Sequence, residues 1–386
     1  PYYYPGTNKE VRNWTSNKKY NGLTTLRQAI YDSMNIVTVK TLVDVTPQVG
    51  YDYLLKLGFS TLVESQKLED GRVVSDINLP MALGGLTNGV TNLELTAAYA
   101  AIANGGVYIE PIFYTKILDR NGNVLLENKP RKEQVMKTST AWLLTNAMED
   151  VVKKGTGTNL KLTAIDMPVA GKTGSTSDYN DLWFSGYSPY YTATIWSGFD
   201  KNRSQTDRTY PRIIWKTIME QIHIRKNLEK KEFEMPDSIV TAKICTKSGK
   251  LAINGVCDDK SVGNTTRIEY FAKGTEPTEY CDVHKKAKIC KDSNKKATDN
   301  CPASSIVEKV FLIKDEQAVT ADTPYLLPKD DCNIHTGITI YEDEPYFPDI
   351  INPDVYGNIT EPQYDITEPQ DDITEPQYIP EEDDFH

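Results

Sequence analysis

Between Pro168 and Asp200 three strand-forming runs follow one another almost without interruption: Val169 to Gly174, Asp181 to Tyr187 and Tyr191 to Phe199. Links this short join strands in antiparallel order, because a parallel return needs a crossover of about a dozen residues. The expectation is a meander. Helical periodicity brackets it. Leu23, Leu26, Ala29 and Ile30 keep helical spacing, and Thr46-Pro47 starts a second run that stops at Gly58. Thr91 stands three residues before Glu94 in a capping-box pattern, ahead of an apolar run to Ala103, and Thr140 to Lys154 is again helical. Asn121-Gly122 marks a hairpin between Tyr108 and Leu126. Pro211 to His223 is amphipathic, and Ile213, Ile214, Thr217 and Ile218 are the expected packing face. The fold class expected is α/β, an antiparallel sheet of about five strands flanked by helices.

The second constraint is where the cysteines fall. All six lie between Cys245 and Cys332, which suggests a small disulfide-stapled extension in an oxidising compartment, with a zinc module as the rival reading. The extension is internally duplicated: Ala242-Lys243-Ile244-Cys245 returns as Ala287-Lys288-Ile289-Cys290, followed by Cys257 and Cys301 respectively. If each copy is a hairpin turning at 247–250 and 292–295, its cysteines face each other, predicting bridges Cys245 to Cys257 and Cys290 to Cys301, with Cys281 to Cys332 left over. Cys281-x-x-His284 could be two metal ligands, but no metal and no cofactor is expected.

Charge divides the chain as sharply. All 43 Lys and Arg and 39 of the 54 acids precede residue 341, so that part carries +4. The last 46 residues hold fifteen acids, seven Pro and three copies of Ile-Thr-Glu-Pro-Gln. Such a tail cannot bury a core and is expected to be disordered. No basic stripe with interleaved aromatics suggests a nucleic-acid partner. No apolar run is long enough to span a membrane, and Pro1 opens the chain without a basic, then apolar, leader. The expectation is an N-terminally truncated piece.

Lys172-Thr173-Gly174, continued by Ser175-Thr176, ends the first strand run. An acyl-transfer site for peptides with a free carboxylate needs a cation, a hydroxyl for that carboxylate and a closely approaching backbone, which this string supplies on one strand. Alone, it equally describes a strand-end Lys before a turn. Ser33-Met34-Asn35 closes a helical run and alone is a helix-terminal polar pair. Trp183, Phe184 and Tyr187 could line a groove, although alternating strand aromatics are more often core.

Order and context decide. The stretch Leu23 to Val39, with Trp14, Tyr20 and Gly22 before it, resembles the helix that presents the second motif of class A penicillin-binding proteins. Leu83-Gly84-Gly85, Gly89-Val90-Thr91, Ala97-Ala98-Tyr99, Ala103-Asn104-Gly105-Gly106, Val151 to Gly157, Gly171 to Thr176 and Asp181 to Pro189 extend the resemblance in order to about Trp215. It implies a serine transpeptidase and β-lactamase-like fold. It also implies peptidoglycan D,D-transpeptidation through an acyl-enzyme, with stem peptides and β-lactams as partners. By motif matching Ser33 relays a proton, Asn35 bonds the substrate amide, and Lys172 supplies positive potential. Thr173 binds the terminal carboxylate beside Gly174 and Thr176, and the Ser175 N–H forms half the oxyanion hole.

The family's Ser-x-x-Lys nucleophile has no match. Ser16 to Lys19 is a polar segment too close to Ser33, and Ser293 to Lys296 falls after the third motif. The nucleophile is therefore expected upstream of Pro1, with a glycosyltransferase domain and membrane anchor on the extracytoplasmic face. This chain alone would be inactive. Expected boundaries are a transpeptidase part at 1–225, a Cys-rich extension at 226–340 and the acidic tail at 341–386. A β-lactamase would need a deacylating Glu four residues before an Asn, which is absent. The alternative is a non-catalytic peptidoglycan- or partner-binding module of the same fold.

Overall fold

Alternation along one strand explains how the layers stack. In the computed structural model, which describes residues 2–14, 20–314 and 319–337, β1 (Ala170–Ser175), β2 (Leu182–Tyr187) and β3 (Thr192–Ser197) form an antiparallel sheet in the order β3-β2-β1. Phe184 of β2 points to one face, where it meets Trp215 edge-on at 4.9 Å and packs with Met219 and Leu160. Tyr187 points to the other face, packs on Met148, and its hydroxyl lies 2.7 Å from Thr145 Oγ1. Helix α6 (Tyr210–Arg225) therefore covers the first face, while α4 (Asn92–Ala103) and α5 (Thr138–Lys153) cover the second. Both aromatics are fully buried, which places them in the core rather than in a groove.

Three further helices precede these: α1 (Leu26–Tyr31), α2 (Asn35–Val45) and α3 (Pro47–Lys56). Thr25 caps α1 by accepting from the Gln28 N–H, and Thr91 caps α4 by accepting from the Glu94 N–H. The Glu94 carboxylate accepts in turn from the Thr91 hydroxyl at 2.9 Å and from the N–H and hydroxyl of Ser60, tying α4 to the loop after α3.

Two expectations about the body are corrected. Among the described residues the sheet has three strands, not about five. Val107–Ile109 pairs with Lys132–Gln134, and Lys116–Leu118 with Val124–Glu127, in separate two-stranded ribbons. The buried stripe of α6 is Pro211, Trp215, Met219 and His223, whereas Ile213 and Ile218 are exposed. The polar member of that stripe is satisfied: His223 Nε2 lies 2.8 Å from Ser188 Oγ and Nδ1 2.7 Å from the Met219 carbonyl.

The chain divides into two compact units, Pro1–Thr336 and Gly337–His386. The second lies outside the described residues but for Gly337, as does the expectation of a disordered tail. Within the first unit the Cys-rich segment forms two hairpin-like pairs, β4 (Ile239–Cys245) with β5 (Thr266–Ala272) and β6 (His284–Cys290) with β7 (Ile306–Leu312). None of the six cysteines is joined to another in this structure, which goes against the predicted bridges Cys245 to Cys257, Cys290 to Cys301 and Cys281 to Cys332. Each copy does turn back on itself as expected, Ile244 bridging Leu251 and Ile289 bridging Lys296, but beyond the turn each gathers three sulfurs and an imidazole rather than two facing cysteines. Cys281 and Cys332 fall in different side-chain groups. Among the described residues no helix is long and apolar enough to cross a membrane.

Candidate active site

The site begins with a break between two helices. After α1 the backbone turns at Ser33, whose φ of +56° lies in the left-handed region, and α2 resumes at Asn35. A non-glycine residue there is strained, a cost tolerated where surrounding structure fixes the conformation. What fixes it is close at hand. The Trp14 indole N–H donates to the Asp32 carbonyl at 2.8 Å, and the Asn13 side chain accepts from the Ile36 N–H at 3.1 Å.

Across from this turn runs β1, which is paired on one side only among the described residues. Lys172 leaves it toward Ser33, and its ammonium donates to Ser33 Oγ at 2.8 Å and to the Thr173 carbonyl at 3.1 Å. With no carboxylate beside it, burial pushes the Lys172 pKa down to about 8. It is thus a cation held where it is costly, titrating near neutrality and hydrogen-bonded to the Ser33 hydroxyl. Thr173 Oγ1 lies 3.0 Å from Thr156 Oγ1.

Thr156, which motif reading did not single out, thereby joins the candidate group. The Gly155 that precedes it follows α5 and passes so close to α1 that a Cβ would stand 2.3 Å from the Tyr31 carbonyl oxygen. Only glycine allows that approach, and it lets the Thr156 N–H donate to Tyr31 at 3.1 Å. The loop after α5 thereby connects the end of α1, the Ser33 turn and the carboxylate-binding hydroxyl proposed for Thr173.

The remaining sequence candidates are arranged around this core. The Asn35 amide donates to the Arg12 carbonyl at 2.8 Å, leaving its Oδ1 without a donor among the described residues. Ser175 is exposed at the end of β1. The Thr176 hydroxyl is occupied, accepting from the Asp181 N–H at 2.8 Å and donating to its carboxylate at 3.1 Å. Gly174 lies opposite Trp183, whose Cβ is 3.2 Å from where a Gly174 Cβ would be. Ser293 to Lys296 belongs to the second Cys-rich copy, and Ser16 to Lys19 lies outside the described residues. Among the described residues no Ser-x-x-Lys meets the Lys172 and Ser33 pair.

A buried ion network braces α1 from behind. Arg27, at 8% exposure, donates to the Glu269 carboxylate of β5 at 2.8 and 3.0 Å and to Asp150 of α5 at 3.3 Å; Arg267 of β5 reaches Asp150 at 3.0 Å. Burial alone would raise the Asp150 pKa, but Lys154, Arg267 and Arg27 hold it below the ordinary carboxylate range. The Cys-rich segment is thus bolted to the helix whose end presents Ser33.

A family profile described as penicillin binding protein transpeptidase domain matches residues 1–220, and another, penicillin-binding protein 1A, C-terminal domain, matches residues 235–286. Penicillin-binding protein 1A of Clostridium novyi (strain NT) is 33% identical over 333 residues, 86% of this chain and 37% of the relative. That of Clostridium botulinum (strain Langeland) is 34% identical over 80% of this chain and 36% of the relative. The chain therefore spans about a third of the length of the curated relatives it matches. The crystal structure of penicillin-binding protein 1A from Haemophilus influenzae superposes with a TM-score of 0.59 at 23% identity, covering 72% of this chain and 44% of that one.

Proposed function

We propose a function from one premise: the chain belongs to the penicillin-binding protein transpeptidase family. It forms the part of a peptidoglycan D,D-transpeptidase site that binds the stem peptide and moves protons, and it takes β-lactams at the same place. The observation that carries this is the 2.8 Å hydrogen bond from the Lys172 ammonium to Ser33 Oγ, between a sheet edge and a helix break 139 residues apart.

The chemistry follows from these groups. A peptide laid along the open edge of β1 would add backbone hydrogen bonds there, and its terminal carboxylate would meet the Thr173 hydroxyl in the positive potential of Lys172. Asn35 Oδ1 would accept from a substrate amide N–H. The Ser175 N–H would be one of two oxyanion donors. Ser33, hydrogen-bonded to a lysine near its titration point, would pass the proton lost by an attacking serine to the departing D-Ala amine. That serine and its lysine would come from another segment of the full-length protein, so residues 1–386 alone would not be acylated. We divide the chain at 1–225, 226–340 and 341–386, and place the site on the extracytoplasmic face of the cell membrane.

The test is D-Ala release. The full-length protein supplied with pentapeptide-bearing glycan strands should release D-Ala and form cross-links, and Ser33→Ala together with Thr173→Val should abolish both. Release that persists in the double variant would remove this site from the reaction.

A further inference from the structure

Between Ile239 and His335 the chain builds one small unit twice. Each copy opens with a seven-residue strand ending in cysteine, Cys245 or Cys290. Each then makes the same tight turn: the Gly249 N–H donates back to the Cys245 carbonyl at 2.8 Å, and the Asn294 N–H to the Cys290 carbonyl at 2.9 Å. Gly249 and Asn294 both have positive φ, +75° and +54°. A second cysteine follows in a loop, Cys257 or Cys301, then a second strand, then Cys-x-x-His: Cys281 to His284 and Cys332 to His335.

The side chains converge to match. In each copy three sulfurs and one imidazole nitrogen lie within 4.8 Å of one another. His284 Nδ1 is 3.4 Å from Cys245 Sγ and 3.3 Å from Cys281 Sγ; His335 Nδ1 is 3.4 Å from Cys290 Sγ and 3.5 Å from Cys332 Sγ. Four ligands around one zinc ion, with bonds of about 2.3 Å to sulfur and 2.0 Å to nitrogen, stand about 3.5 to 3.8 Å apart. Disulfide pairing would leave one sulfur of each trio orphaned. Backbone donors already address the sulfurs, from the Ile253 N–H to Cys257 at 3.3 Å and from the Thr298 N–H to Cys301 at 3.4 Å. The far nitrogen of His335 lies 3.5 Å from the Asp292 carboxylate, the usual orienting partner of a metal-bound imidazole, while that of His284 is buried without a partner. Around the buried cysteines pack Ala252, Ile253 and Val283 in one unit and Ala297 and Ile306 in the other.

We propose that each copy binds one structural zinc ion, the first through Cys245, Cys257, Cys281 and His284, the second through Cys290, Cys301, Cys332 and His335. Binding displaces three thiol protons per ion and leaves no open coordination position, so these sites hold structure and do no chemistry. Strand β6 carries His284 at its start and Cys290 at its end, which separates the ions by about 20 Å at roughly 3.3 Å per residue. They are two mononuclear sites sharing one strand. This reverses the expectation of disulfides and of no metal.

The test is metal analysis of the full chain, purified without chelator from zinc-sufficient cells, beside a non-reducing peptide map. The expected result is two zinc ions per chain, no disulfide, and one ion in each of Cys281→Ser and Cys332→Ser. Should either variant fail to fold, titration of the wild-type chain with an organomercurial should release one zinc for every three thiols modified, and cobalt(II) substitution should give the visible bands of a tetrahedral thiolate site. Intramolecular disulfides, fewer than two ions per wild-type chain, iron in place of zinc, or variants that retain both ions would overturn the proposal.

Discussion

The sheet edge and the cysteine pairs solve the same problem, fixing a few polar side chains in one place, by opposite means. Ser33 and Lys172 are 139 residues apart, and they meet only because a packed sheet, two helix ends and a glycine at 155 bring them together. The cysteine units close mainly over nearby turns and would depend on an ion for cohesion. The difference teaches where stability and function part. The edge spends stability on a buried lysine and a strained serine, whereas the cysteine units spend their few ligands on being ordered at all. Arg27 and Glu269 connect the two, so the extension bears directly on how α1 presents Ser33.

The widest predicted separation between the regions comes from chelation. Removing zinc from the full chain should lower hydrogen-exchange protection in Ile239–Cys245 and His284–Cys290 by at least about a thousandfold, with a much smaller change in Leu182–Tyr187. Equal protection with and without chelator would erase the contrast. Next comes the link: Arg27→Met strands Glu269 and Asp150 in a buried setting and should cost about 3 to 5 kcal/mol in urea unfolding. A loss under about 1 kcal/mol would mean that the network is no brace. Smallest is the edge's own penalty. The Lys172 pKa is lowered from 10.5 to about 8, so below pH 8 the folded state carries a desolvated charge, and between those values the unfolded chain binds the extra proton. Lys172→Met should therefore be more stable than wild type at pH 7, by about 2 kcal/mol after allowance for partial solvent access, and the gap should close by about pH 10.5. A gap constant with pH would show that Lys172 is not depressed.

Much of the body could be read from sequence because its cues are local. The meander, the Thr91 cap and the Asn121-Gly122 turn depend on neighbours a few residues away, and Lys172 and Ser33 were recognisable by motif. The face of α6 was not, because the apolar pattern favoured Ile213 and Ile218, while the buried stripe includes Pro211 and His223, whose polarity is cancelled only by Ser188 and a backbone carbonyl. Thr156 escaped for the same reason: its role exists only once Gly155 meets Tyr31 in space. The metal ligands were nearer to hand. Cys332-x-x-His335 repeats Cys281-x-x-His284, but the segment between β7 and Cys332 separates it from the repeat that drew attention to the cysteines.

The central claim, that the β1 edge and the Ser33 turn form an acylation site, is tested most directly by the rate at which penicillin acylates the full-length protein. Lys172→Ala removes the preorganised charge beside the substrate carboxylate and should slow acylation by about a hundredfold or more. Trp183→Phe, which keeps an aromatic ring opposite Gly174, should stay within a fewfold of wild type. Equal rates for wild type and Lys172→Ala would contradict the account.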